Sequence, residues 1–328
     1  MRSIVTGGAG FVGSHLVDKL LSMNHEIIVL DNFSTGRSEN LSHAKNKIKL
    51  VDCDISKKET WTNEFKNADW VFHIAALADI VPSIQNPVSY FNSNVVGTLN
   101  VINECKINKV KRIIYLASAS CYGLPKLYPT TEQSEIKLEY PYALTKLLGE
   151  QIVMHWSKVY DIPVVSLRLF NVYGTRSRTS GTYGAVFGVF LAQKLANKPL
   201  TIVGDGSQTR DFTYVSDVIN AIICAVQSNK KAEIYNVGSG RSVSVNRIVE
   251  LLGTKKITHI PKRPGEPDNS LAGIDKIKKD LGWEPKVTIE EGVGIILKNI
   301  NYWKKAPVWT PSSIAIATKE WFELLGKK

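Results

Sequence analysis

Thr6-Gly7-Gly8-Ala9-Gly10-Phe11-Val12-Gly13 is the stretch on which the fold of this 328-residue chain turns. A short β-branched run, residues 3–6, leads into it, and a helical pattern, residues 11–23, leads out of it. The glycines at 7, 10 and 13 permit a tight turn, close approach of backbone to a pyrophosphate, and close packing of helix on strand. The helix start adds free N–H groups and a partial positive charge. A second apolar run, residues 26–30, ends in Asp31, eighteen residues after Gly13. A carboxylate there accepts hydrogen bonds from both hydroxyls of an adenosine ribose and repels a 2′-phosphate, so the sequence predicts NAD rather than NADP. Arg37 is the nearby residue that would suit NADP instead. Asp54 and Ile55, after the third run, are expected to flank the adenine.

Working outward, further runs at 48–51, 70–74, 112–116 and 164–169 are nearly continuous in apolar residues, as parallel strands buried on both faces are. Helical patterns at 94–107 and 142–160 separate them. The alternation predicts an α/β chain with a Rossmann-type doubly wound parallel sheet over residues 1–172. The rhythm then changes. Residues 174–184 read as loop, and helical patterns follow at 185–197, 215–228, 244–252 and 288–304. Ser244 suits an N-cap, Thr288 with Glu291 has capping-box spacing, and Thr310-Pro311 opens a last helix. Residues 173–328 are expected to form a smaller, mostly helical substrate domain. A strand at 233–237 is expected to return to the main sheet.

Composition excludes several classes. The chain is 44% apolar and 22% charged, and no apolar run approaches the roughly 18–20 residues of a membrane span. No signal-peptide pattern is seen, so a cytoplasmic protein is expected. Cys53, Cys105, Cys121 and Cys224 contain no CxxC-type pair, and no metal site is expected. The net charge of +11 comes without a nucleic-acid motif; a small anionic substrate needs only two or three placed cations.

Tyr142 and Lys146 stand four residues apart in a helical pattern, so they share a face at about 6 Å. A tyrosine with a pKa of about 10 is a poor base at neutral pH. A neighbouring ammonium and a positive nicotinamide ring would favour its phenolate. Ser118 lies at the end of the fifth strand, and the carboxyl ends of parallel strands are where such folds bind ligands.

The glycine turn, Asp31, the Ser118 segment, Tyr142-x-x-x-Lys146 and Arg168-Leu-Phe-Asn171-Val-Tyr-Gly174 occur in one order with one spacing. Together they resemble the extended short-chain dehydrogenases that act on nucleotide sugars, above all the UDP-hexose 4-epimerases. The resemblance runs from residue 1 to about 300. It implies that Ser118, Tyr142 and Lys146 are catalytic and that NAD is the cofactor. Gly7, Gly10, Phe11, Val12, Gly13, Asp31, Asn32, Asp54, Ile55, Ala75, Ala76 and Asn94 would join Tyr142 and Lys146 around that NAD. It places Ser118, Asn171, Arg210, Arg263, Glu266 and Ser270 on a UDP-sugar, with Arg210 on the diphosphate and the Arg263–Glu266 pair on phosphate and uridine ribose. An arginine fork suits phosphate on its own physical grounds; the bland alternative for Arg210 is an ion pair with Asp211.

The implied reaction is transient oxidation at C4 of the sugar, with no net redox change. The resemblance also implies a homodimer built by pairing the 94–107 and 142–160 helices into a four-helix bundle. Both stretches carry apolar residues beyond one stripe, which must be buried somewhere. Ser270 matches a position beside the C2 substituent that is tyrosine in enzymes restricted to UDP-glucose and UDP-galactose. The smaller serine, with Leu169 where those enzymes have tyrosine, predicts room for an N-acetyl group. Two rival readings differ in class. A nucleotide-sugar 4,6-dehydratase would carry an Asp-Glu pair where this chain has Ala119 and Ser120, and decarboxylases also carry a glutamate there. A non-catalytic NAD-sensing regulator would have no need of Ser118, Tyr142 or Lys146.

Overall fold

The computed structural model describes residues 1–177 and 185–326. Seven parallel strands form the central sheet: β1 (Arg2–Thr6), β2 (Glu26–Asp31), β3 (Lys49–Asp52), β4 (Trp70–His73), β5 (Arg112–Ser118), β6 (Val164–Leu169) and, from the distal half of the chain, Glu233–Val237. The order across the sheet is the 233–237 strand, then β6, β5, β4, β1, β2, β3. The order reverses at β1, which has β2 on one side and β4 on the other. This is the doubly wound α/β sheet that the alternating pattern implies.

The helices between the strands are α1 (Phe11–Ser22), α2 (Ile80–Gln85), α3 (Pro87–Phe91), α4 (Gly97–Ile107) and α5 (Pro141–Tyr160). Side chains on a strand point alternately to the two faces, so an apolar run feeds two cores at once. Val5, Val29, Phe72, Leu116 and Leu167 pack with Leu16, Val17 and Leu20 of α1. Ile4, Ile28, Leu30, Val71 and Tyr115 pack on the other face with Val101, Ile102 and Cys105 of α4 and Val153 of α5.

Beyond β6 the chain adds β7 (Asn171–Tyr173), α6 (Val186–Leu195), β8 (Leu200–Val203), β9 (Thr209–Arg210), β10 (Phe212–Tyr214) and α7 (Val215–Gln227). After α7 comes β11, the 233–237 strand, which pairs parallel to β6. The remaining elements are β12 (Val243–Ser244), α8 (Val245–Leu251), β13 (Ile257–Ile260), α9 (Asp275–Leu281), α10 (Ile289–Lys298) and α11 (Pro311–Leu325). The Ser244 side chain caps α8, Thr288 and Glu291 form a capping box on α10, and Thr310 caps α11 with Pro311 in its first turn.

Some local expectations shift. Three two-stranded ladders, β7 with β10, β9 with β12 and β8 with β13, are too short to show a period in sequence. The 94–107 pattern opens in a π turn, Asn92–Val96. The 288–304 pattern breaks at Asn299, whose side chain bonds the Ile295 carbonyl, and continues as a 3-10 turn. The loop read at 174–184 lies outside the described residues from 178 onward. Among the described residues, no helix is long and apolar enough to cross a membrane.

Candidate active site

The glycine turn forms at the C-terminal edge of β1. Gly7 sits at φ +69°, and its N–H donates to the Leu30 carbonyl at 2.8 Å. A Cβ on Gly13 would lie 2.1 Å from the Gly7 carbonyl oxygen, and one on Gly7 would lie 2.8 Å from the Ala75 backbone. No side chain can stand in this cradle. Gly10 is the N-cap of α1 and no side chain caps the first turn, Phe11, Val12 and Gly13; an uncapped helix start of this kind suits an anion.

Asp31 ends β2 and is 7% exposed. Its carboxylate accepts from Ala9 N–H at 2.9 Å and Phe33 N–H at 2.8 Å. Burial raises its pKa, and those two hydrogen bonds oppose the rise. Each oxygen keeps further accepting capacity. Asn32 is exposed and accepts from Ser34 N–H. The Arg37 guanidinium lies over the Tyr302 ring, 5.7 Å from its centroid. Asp54 accepts from Ser56, and buried Ile55 follows it beyond β3. Ala75 and Ala76 follow β4, where the Thr6 hydroxyl accepts from Ala75 N–H. These groups lie beyond the C-terminal ends of β1 to β4.

Asn94 is 1% exposed in the π turn. Its side chain makes a two-way clasp with the Leu77 backbone and also donates to the Thr145 hydroxyl at 3.0 Å. It thereby joins the segment after β4 to α5.

Ser118 closes β5, and α5 carries Tyr142 and Lys146. The Ser118 hydroxyl accepts from Ser120 Oγ at 2.8 Å and from Ser120 N–H at 3.2 Å. It also hydrogen-bonds the Tyr142 hydroxyl, which lowers the Tyr142 pKa, but burial outweighs this and the net shift is upward. Lys146 lies under the Tyr115 ring, 4.5 Å from its centroid, and burial pushes its pKa down to about 7 while Glu150 opposes that. Glu150 is itself clamped by Arg168 at 2.6 Å and by the Ser166 hydroxyl. The protein's own groups therefore leave Tyr142 protonated at neutral pH. The expected phenolate is not supplied by Lys146 alone.

One cavity of about 420 Å³ opens in front of Ser118 and Tyr142. It is walled also by Asn171, Arg210, Arg263, Glu266 and Ser270, residues separated by up to a hundred positions in the chain. Glu266 bridges both arginines, at 3.0 Å from Arg263 and 3.7 Å from Arg210. Asp211 is not the partner of Arg210. It is fully buried and accepts from Ala272, Ser239 and Gly240 N–H groups. Its neighbours Asn171 and Arg210 project from β7 and β9 beside it. Ser270 and Leu169 both line the cavity, and Tyr128 and Thr209 bond Asn269, next to Ser270.

Reading motifs missed four residues on this wall. Ser120 bonds the Ser118 hydroxyl. Asp79 stands at φ +81° with its charge acting on Tyr142. Tyr140 and Trp321 also line the cavity. Only Tyr140, two residues before Tyr142, had a signal that pointed to it; Trp321 lies past the end of the recognised motifs.

A family model described as the NAD dependent epimerase/dehydratase family matches residues 3–238. The chain belongs to that family. It is an NAD-dependent enzyme, and its cofactor is NAD. A UDP-glucose 4-epimerase of Mycolicibacterium smegmatis is 34% identical over 306 residues, covering 89% of this chain and 96% of that one. The solved UDP-glucose 4-epimerase of Thermotoga maritima, with UDP-glucose, gives a TM-score of 0.86 at 32% identity, over 93% of this chain and 99% of its own. The UDP-N-acetylglucosamine 4-epimerase of Methanobrevibacter ruminantium, in complex with UDP-N-acetylmuramic acid, gives 0.85 at 30% identity, over 91% and 98%. The family's description spans epimerases and dehydratases alike, so the choice between them rests on the residues of the cavity.

Proposed function

We propose that this family member is a UDP-sugar 4-epimerase that interconverts UDP-GlcNAc and UDP-GalNAc, alongside the non-acetylated UDP-glucose and UDP-galactose pair. The observation that carries the reading is the layout of one cavity. Ser118 and Tyr142 line the same cavity as Arg210, Glu266 and Arg263, and Glu266 joins the two arginines. A hexose between them is held through its diphosphate by the arginines, with its ring facing the hydroxyls.

NAD, held by the glycine turn, Asp31 and the edge of β1 to β4, supplies a reversible hydride acceptor when bound. Tyr142 takes the proton of the sugar 4-hydroxyl and returns it, so that the sugar passes through a 4-ketone. Its raised pKa means that it needs positive charge beyond Lys146 to act as a base near neutral pH. Ser118 bonds the reacting oxygen and, with Ser120 behind it, relays the proton. Asn94 ties the segment after β4 to α5, and Asn171 bonds the substrate beside the diphosphate. Residues 1–172 with β11 are assigned to the cofactor, and 173–328 to the sugar.

The dehydratase reading is disfavoured by Ala119 and Ser120. Elimination of water across C5 and C6 needs a carboxylic acid and base, and neither side chain supplies one. The N-acetyl reading rests on the small Ser270 and on Leu169 in the same wall.

The enzyme is further read as a cytoplasmic homodimer. Its four cysteines are unpaired, which fits a reducing compartment. Phe91, Leu99, Ile107, Leu144, Val159 and Tyr160 leave an exposed apolar face along α3 to α5. A monomer mass in light scattering at micromolar concentration would remove the dimer.

The test of the chemistry is reduction of the bound NAD on adding a UDP-sugar to the holoenzyme. Wild type should reduce a fraction of it. Tyr142→Phe should bind the sugar nucleotide yet lose about 10²–10⁴-fold in rate. Near wild-type turnover in that variant would mean that another group is the base.

A further inference from the structure

The last helix, α11, lies against the substrate cavity, although the family's motifs end before it. Its Trp321 is 2% exposed and forms part of the cavity wall. The indole N–H donates to the Pro264 carbonyl at 2.8 Å. The Arg263 guanidinium lies over the indole ring, 5.6 Å from its centroid, while Arg263 Nη1 reaches Glu266 at 3.0 Å. Leu325, one turn further on, sits beside Gly265, whose φ of +73° makes the tight bend between Arg263 and Glu266. α11 also packs against α2, whose Ile80 and Val81 line the same cavity. The helix therefore clamps the Arg263–Glu266 loop from behind and joins it to the cofactor half of the molecule.

We propose that Trp321 is a positioning residue for the nucleoside diphosphate: it fixes the plane of Arg263 so that the guanidinium meets the diphosphate already oriented. An arginine side chain gives up much rotamer freedom on binding a ligand, and a ring face against it together with a carboxylate removes part of that freedom beforehand. The ring face also attracts the cation directly at this separation. The inference rests on the assignment of Arg263 and Glu266 to the nucleotide made above. It assigns a binding role to the helix that the motif-bearing part of the chain does not contain.

The experiment is isothermal titration calorimetry of UDP into NAD-loaded enzyme, with kinetics on a UDP-sugar. Trp321→Ala is expected to weaken UDP by about 5- to 10-fold. KM for the UDP-sugar should rise by a similar factor, with kcat at saturation and NAD content unchanged. Trp321→Phe, which keeps a ring face, should weaken UDP less than Trp321→Ala does. Trp321→Leu keeps apolar burial without a ring face, and should weaken UDP as the alanine variant does. In an Arg263→Ala background, Trp321→Ala should add nothing, because the effect runs through Arg263. A Trp321→Leu enzyme that binds UDP like wild type would overturn the proposal, even where Trp321→Ala does not fold. Equal weakening with and without Arg263 would overturn it as well. A wild type that fails to bind UDP would contradict the nucleotide assignment itself, and this inference with it.

Discussion

The Asn94 amide donates to the Thr145 hydroxyl at 3.0 Å, so a buried side chain in a π turn is tied to the residue immediately before Lys146. The same amide group clasps the Leu77 N–H and carbonyl at 2.8 and 2.9 Å. Asn94→Ala leaves these groups buried without partners, which costs about 1–3 kcal/mol for an unsatisfied group. The expected result is a fall of that size in unfolding free energy from denaturant titration, with reduced turnover. An unchanged denaturation midpoint would show that the clasp contributes nothing.

The pH dependence of stability should carry the mark of His73. Its ring is buried between the Thr6 and Thr98 hydroxyls at 2.8 and 2.9 Å. Burial, aided by the charge of Lys146, pushes its pKa down to about 3 from an ordinary 6.5. The unfolded chain takes up this proton as pH falls below 6.5, while the folded chain does not until about 3. The unfolded state therefore binds more protons in that window, and stability is lost as pH falls through it, at up to about 1.4 kcal/mol per pH unit. His73→Gln should flatten that part of the curve. Identical slopes for wild type and variant between pH 6.5 and 4 would refute the assignment.

Substrate choice should turn on Ser270. Tyrosine there would fill the space that the N-acetyl group needs, and a pocket rejects an oversized group more strongly than it notices a missing one. Ser270→Tyr should abolish turnover of the N-acetylated pair and spare UDP-galactose. A variant that still turns over UDP-GalNAc at the wild-type rate would place the gate elsewhere.

The nucleotide-binding sheet could be read directly because its signals are local. Gly7, Gly10 and Gly13 sit within one turn, and Asp31 follows at the end of the next strand. Tyr142 and Lys146 share one face of α5, a relation that helix geometry dictates. What could not be read are the contacts made by chain reversal. Glu266 as a bridge between Arg210 and Arg263 depends on where β9 and a loop 56 residues later come to rest. The burial that raises the Tyr142 pKa belongs to the assembled cavity and left no trace in the Tyr-x-x-x-Lys spacing. Nothing in the sequence singles out Trp321 within the last helix; only the docking of α11 gives it a place on the wall.

The central claim is epimerisation at C4, and proton NMR of the purified enzyme incubated with UDP-GlcNAc tests it most directly. Signals of UDP-GalNAc should grow to a fixed ratio, with no other sugar product and no added NAD. A 4-keto-6-deoxy sugar in their place, or a spectrum of UDP-GlcNAc and of UDP-glucose that never changes, would contradict it.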